Sequence, residues 1–265
     1  MRNVGIAAVW AALLSVAPPA FCADVHTTVP EEAPALAPIP AFSWTGCYIG
    51  AQGGGGWGRD EFVNQIATRT VGVGTRGFLG GGQVGCNYEL PFHLLVGIEG
   101  DGVGSDIKGS LRRVLSSGTM TSDQSFAVKT YWLASVTGRI GYDWNHWLLY
   151  VKGGAAWARY QSQIHIVDCI TFGGGGGCVT VQDTDASKTG NGWTIGAGLE
   201  WAFWRAWSAR LEYDFYDFGR QITVGTVTTG PIPVSLERNI HTVKLGVNWR
   251  FWSLTAPVSP IVAKN

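Results

Sequence analysis

What most constrains this chain is a two-residue alternation that puts rings and aliphatic side chains on one face and charges on the other. In residues 193–218, WTIGAGLEWAFWRAWSARLEYDFYDF, one side carries Trp193, Ile195, Ala197, Leu199, Trp201 and Phe203, and Glu200 lies on the other. After Trp204, Arg205 and Ala206 the pattern resumes, with Ala209, Leu211, Tyr213 and Phe215 set against Ser208, Arg210, Glu212, Asp214 and Tyr216. Successive side chains of a strand point to opposite faces, so a period of two means a strand with two unlike faces, here folded back as a hairpin.

The same alternation recurs along the chain. His241, Val243, Leu245, Val247, Trp249 and Phe251 oppose Thr242, Lys244, Gly246, Asn248 and Arg250. Leu94, Val96 and Ile98 oppose Glu99 and Asp101, and Trp132, Ala134, Val136, Ile140 and Tyr142 oppose Ser135, Thr137 and Arg139. Leu149, Val151, Ala155 and Trp157 oppose Tyr150 and Lys152, while Phe78, Val84, Cys86 and Tyr88 oppose Gln83, Asn87 and Glu89. A glycine-rich first run, Gly46 to Gly58, sets Cys47, Ile49, Ala51 and Trp57 on one side. Counted this way there are eight strands. Short connections near 90–93, 143–146 and 204–206 alternate with long ones near 59–76, 108–127, 162–189 and 219–238. Such a meander reads as an all-β, eight-stranded antiparallel up-and-down transmembrane β-barrel, with every long loop at one end.

A soluble barrel would place the apolar face inside. Two features argue for the reverse. Trp193 and Phe203 stand ten residues apart on one face, which at ~3.3 Å per residue and a tilt of ~40° spans roughly 25 Å, the height of a barrel's lipid-facing band. Trp57, Trp132, Tyr142, Trp157, Trp193, Trp201, Phe203, Trp249 and Phe251 are therefore expected to form aromatic belts at the two membrane–water interfaces. The charged face is also balanced: Glu99, Asp101, Glu200 and Glu212 can meet Arg139, Lys152, Arg210, Lys244 and Arg250. A closed interior requires such balance, because unpaired buried charge is costly. The expectation is lipid outside and a polar network inside.

Composition narrows the function classes. Charged residues make up 14% and the formal net charge is zero, so no electrostatic footprint for nucleic acid exists. Residues 1–23 read as a secretory signal peptide, with Arg2, an apolar stretch from Val4 to Val16 and a small-residue exit. Residues 24–42, with Pro30, Pro34, Pro38 and Pro40, read as an extended periplasmic linker. The barrel is expected over 43–251 and a periplasmic tail over 252–265, with both termini in the periplasm of a cell bounded by an outer membrane.

The segments FSWTGCYIGAQGGGGWG (42–58), SVTGRIGYDWNHWLLYVKGGAAWA (135–158), GWTIGAGLEWAFWRAWSARLEYDFYDFG (192–219) and HTVKLGVNWRF (241–251) resemble the alphaproteobacterial small outer-membrane immunogenic protein family of Brucella, Bartonella and the rhizobia. The resemblance covers roughly 42–251 and skips the long loops. It implies an OmpA-like eight-stranded porin-family barrel in the cell outer membrane, inserted by the outer-membrane assembly machinery and displayed as a surface antigen; some members bind haemin. Family members end on their final aromatic, whereas here Phe251 is followed by WSLTAPVSPIVAKN.

The family is poor in cysteine, and this chain keeps four after the leader. In an oxidising compartment Cys169 and Cys178, flanking a glycine run, are expected to pair. Cys47 and Cys86 fall on the outer face at neighbouring strand ends and are either bridged or two lipid-facing thiols. No metal spacing, phosphate loop or acyl-transfer constellation is visible, so no cofactor and no enzyme are expected. The third long loop holds His165, the one candidate for axial haem ligation there. Three roles compete: a structural, surface-display anchor with a filled interior; a narrow pore; and a receptor or adhesin whose loops take haemin or a host surface. The anchor is favoured, because an eight-stranded barrel is just wide enough to be filled by its own side chains.

Overall fold

The computed structural model describes residues 43–64, 69–227 and 230–252. The expected leader, linker and tail lie outside these residues, except that Trp252 is the last residue of the final strand. Eight strands follow in order: β1 (Gly46–Asn64), β2 (Arg69–Leu90), β3 (Leu94–Ser117), β4 (Met120–Trp144), β5 (Trp147–Phe172), β6 (Gly175–Trp204), β7 (Trp207–Val227) and β8 (Gly230–Trp252). Each pairs antiparallel with the next, and β1 pairs with β8 to close the barrel.

At one end the chain turns tightly. Pro91–His93 is a single 3₁₀ turn with Phe92 and His93 at φ 66° and 63°. Asn145 (φ 59°) and Arg205 (φ 36°) supply the left-handed residues of the other two turns, the geometry that matches the twist of paired strands. The carbonyls of these turns tie them to neighbouring strands, Ala202 N–H donating to His146 O and Arg250 N–H to Ala206 O, each at 2.8 Å.

At the other end the sequence-based expectation needs correction. The long connections are not loops: the strands run through them, leaving only Gly118–Thr119 and Gly173–Gly174 between β3 and β4 and between β5 and β6. From Trp157 to Phe172, β5 alone continues for about 50 Å of strand at ~3.3 Å per residue. Charge no longer marks one face in these extensions, so the alternation is carried by scattered apolar residues such as Val73, Phe126, Val128 and Ile164, all buried.

The extensions part into two sheets. Pairing of β2 with β3 ends at Arg76↔Lys108, and continuous pairing of β6 with β7 ends at Trp193↔Asp217. Beyond those points β3–β6 form one sheet and β7, β8, β1 and β2 the other. Phe62, Val73 and Leu236 from one pack against Phe126, Val128, Tyr160 and Ile164 from the other, with the Phe62 and Phe126 rings 5.5 Å apart. Arg238 pairs with Asp60 at 2.5 Å and lies 4.1 Å over the Tyr160 ring, so one cation bridges both sheets.

Candidate functional site

The lumen is packed in layers along its axis. Nearest the short turns, Trp44, Leu95, Leu148, Tyr150 and Ala202 form an apolar plug. The Trp44 indole donates to Asn145 O at 3.3 Å, and Arg250 lies 5.0 Å over its ring while donating to Ser43 O at 2.8 Å. Arg250 thus joins this plug to the carboxylate network in which the sequence reading put it, within electrostatic reach of Glu200: as the last inward side chain of β8, it points to the segment that folds across the barrel end.

Above the plug sits the charged layer. Glu99, Asp101, Arg139, Lys152, Glu200, Arg210, Glu212 and Lys244 are all buried and face one another. Glu99 is the hub: it accepts from the Tyr48 hydroxyl at 2.5 Å, Arg210 at 2.6 Å, Lys152 at 3.2 Å and Arg139 at 3.4 Å. Glu212 accepts from the Tyr150 hydroxyl at 2.6 Å and Lys152 at 2.8 Å, with Lys244 at 3.1 Å and Arg210 at 3.2 Å. Asp101 takes the Ser135 hydroxyl and lies 3.6 Å from Lys244. Glu200 takes the Ser208 hydroxyl and the Asn248 amide at 2.9 Å, with Arg139 at 3.6 Å.

Several members of this layer were not singled out from the sequence. Asp214, on the same face of β7 as Glu212, pairs with Lys244 at 2.7 Å and Lys152 at 3.4 Å; its alternation with Glu212 was the available signal. Tyr48 and Tyr150 sandwich the Arg139 guanidinium at 5.0 and 4.7 Å. Each ring lies over the glycine paired with it, Gly85 and Gly198, where an added Cβ would collide with the ring. Gln52 and Asn87 accept from Arg210 and Arg139, both at 2.8 Å. A third layer, Leu79, Val103, Ile107, Leu133, Ala156, Ala158, Tyr216, Phe218 and Ile240, closes the lumen above the charges.

The outer face carries the rings in two rows. Trp57, Trp157 and Trp193 stand in the upper row, with Trp132 on the same face of β4 and His241 and Phe215 beside them; Trp57 stacks on His241 at 5.9 Å and Trp193 meets Phe215 edge-on at 5.6 Å. Tyr142, Trp201, Phe203, Trp249 and Phe251 stand in the lower row near the short turns, joined by Trp144 and by Trp147, which stacks on Trp201 at 5.7 Å. Ile98, Ile140, Val151, Leu211 and Leu245 fill the band between, each more than half exposed or close to it.

Cys47 is bonded to Cys86 and Cys169 to Cys178, each pair directly opposite in register. His165 lies within strand β5, not in a loop; its ring is 53% exposed and 3.7 Å from Asp183. Among the described residues no group of His, Cys, Asp or Glu is arranged to hold a metal.

A closed antiparallel barrel with rings bounding an apolar exterior and a charged interior is an integral β-barrel of the outer membrane. The chain belongs to the outer membrane protein beta-barrel domain family, whose model matches residues 29–251. It is 31% identical to the 31 kDa outer-membrane immunogenic protein of Brucella melitensis biotype 1, over 95% of this chain and all of that one. It is 29% identical to the 25 kDa outer-membrane immunogenic protein of Brucella abortus biovar 1, over 91% of this chain and 95% of the relative. It is 32% identical to a 22 kDa outer membrane protein of Rhizobium leguminosarum bv. viciae, over 83% of each.

Proposed function

We propose that this protein is a closed outer-membrane anchor that holds its long hairpins on the cell surface and carries out no catalysis. The layered lumen carries the reading. A solute crossing the barrel would have to displace the Trp44 plug, the ion-paired layer around Glu99 and Glu212, and the apolar layer around Phe218 in turn. In this reading the short turns and both termini face the periplasm, and the four hairpin ends face outward, as in barrels of this class. Its partners are the surrounding lipid, the outer-membrane assembly machinery and whatever the hairpin ends meet. This reading assigns no haemin-binding role to His165, which is exposed and 3.7 Å from Asp183.

The test is single-channel recording on natively folded protein, disulfides intact, in a planar bilayer. No steps are expected from protein that still shifts on heating in gel electrophoresis; reproducible steps would overturn the closed anchor in favour of a narrow pore.

A further inference from the structure

Arg238, on the inner face of β8 beyond the upper row of rings, is a buried cation whose donors are mostly unused. Its side chain is 1% exposed, and Asp60 on the adjoining β1 takes only its Nε, at 2.5 Å. The Tyr160 ring of β5 covers one face of the guanidinium at 4.1 Å. Among the described residues nothing accepts from Nη1 or Nη2, and the buried Tyr160 hydroxyl is also without a partner. Leaving a buried polar group unpaired is costly, so these donors call for an acceptor that the chain itself does not supply.

The barrel wall is open at this point. Arg238 belongs to β8 and Tyr160 to β5, so the guanidinium lies behind the two strands between them, β6 and β7. The ladder joining those strands stops at Trp193↔Asp217 and resumes only at Gln182↔Val227, which leaves 183–192 and 218–226 unpaired with each other. Both side chains stand along this window. Tyr160 is in register with Lys188 of β6, and Arg238 lies opposite the bulge at Phe218 and Gly219, where β7 slips against β8. Gly219 takes φ 59°, and nothing lies within 4 Å of the space that its Cβ would fill. Farther along the window the Gln182 amide nitrogen and the Thr184 hydroxyl are likewise buried without partners. Guanidinium and amide nitrogens only donate, and the two hydroxyls can do so. A ligand that fits them is therefore rich in acceptors.

We propose that this window admits a small organic carboxylate, whose two oxygens accept from Nη1 and Nη2 of Arg238 and from the Tyr160 hydroxyl. The body of the ligand sits between β6 and β7. The flat guanidinium fork matches the plane and charge of a carboxylate. A water molecule takes fewer of these donors and brings donors of its own, and a metal cation finds none of the acceptors it needs. The proposal adds a ligand to the surface hairpins; it rests on the barrel fold, not on the closed lumen or on the sidedness of the termini.

The test uses the full chain folded in neutral detergent at pH 7, with 4-fluorobenzoate as probe, read by fluorine NMR line broadening. Saturable broadening is expected, with one site per barrel. Excess acetate should reverse it, whereas 4-fluorobenzamide and inorganic phosphate should not. Arg238→Lys keeps a cation beside Asp60 but removes the fork, and should weaken binding by roughly tenfold or more. Tyr160→Phe keeps the ring beneath the guanidinium and should weaken it less. Should Arg238→Lys lose its heat-dependent gel shift, Tyr160→Phe decides. Absence of saturable binding would mean that water alone fills the donors, and overturns the proposal. Equal competition by the amide would mean partition into detergent or an apolar site, and equal competition by phosphate an unselective oxyanion site; either overturns it, as does unchanged binding in the folded variants. The assay is blind to conductance and orientation, which the bilayer recording and surface labelling test separately.

Discussion

Glu99 shows what single residues contribute. Its carboxylate takes four donors from four strands: Tyr48 on β1, Arg139 on β4, Lys152 on β5 and Arg210 on β7. Removing one partner of a buried ion network leaves charges without compensation, so Glu99→Ala is expected to cost about 3–5 kcal/mol. The urea midpoint of the detergent-folded barrel measures this, and an unmoved midpoint would contradict the hub assignment. Tyr48→Phe keeps the ring on Gly85 and Arg139 but removes the hydroxyl; its cost should be smaller, about 1–3 kcal/mol. The charged members were legible because charges on an otherwise apolar strand have one place to go. Tyr48 was not, since it sits in the glycine-rich first run and a Tyr in a membrane strand reads equally well as an interface residue; Tyr150 was placed on the inward face beside Lys152, but not as a partner of the charges. Trp44 lies before β1, outside any periodic run, so nothing in the pattern marked it as the plug. Arg250 shares its strand face with Lys244 and was grouped with it; the pattern gives the face, but not the depth at which the layer ends.

At the scale of elements, the strands within the membrane were readable almost residue by residue, and their extensions were not. In the band, lipid demands apolar side chains on one face and the lumen admits charge on the other. Beyond the belts both faces meet water or a mixed interior, and the contrast fades; Gly109 to Ser117 on β3 shows little alternation although it is paired throughout with β4. The longest hairpin, β5–β6, is clasped near its tip by Cys169–Cys178. Replacing both cysteines by Ser should leave the urea midpoint of the barrel unchanged while speeding proteolysis across 170–178, followed by mass spectrometry of the released fragments. Faster cleavage within the membrane band instead would show that the clasp supports the whole barrel. In the neighbouring hairpin Arg112 donates to Asp123 at 3.0 Å and holds that carboxyl below its ordinary range. A depressed carboxylate contributes stability above its unfolded pKa and loses it as pH falls through the folded value. Protection factors at 111–124, taken relative to the intrinsic exchange rate at each pH, should therefore fall only below about pH 4, and Asp123→Asn should remove that dependence.

On the scale of the molecule, the proposed sidedness can be tested at the two sets of ends. If the termini are periplasmic, Gly174→Cys at the β5–β6 tip, introduced with Cys169 and Cys178 replaced, should react with an impermeant maleimide in intact cells. Asn145→Cys at a short turn should react only after the envelope is opened. The reverse pattern would invert the proposed topology and leave the barrel itself untouched.

Blocking the lumen at three levels also uncouples copy number from permeability. Every open channel that a cell adds to its envelope widens the route for detergents and toxins, so the abundance of such a channel is limited by leakage. In the closed-anchor role proposed above, a barrel filled from Trp44 to Phe218 would contribute area and hairpins but no route. On that reading it could be packed into the membrane as densely as lipid allows, and the envelope would stay as tight with many copies as with few.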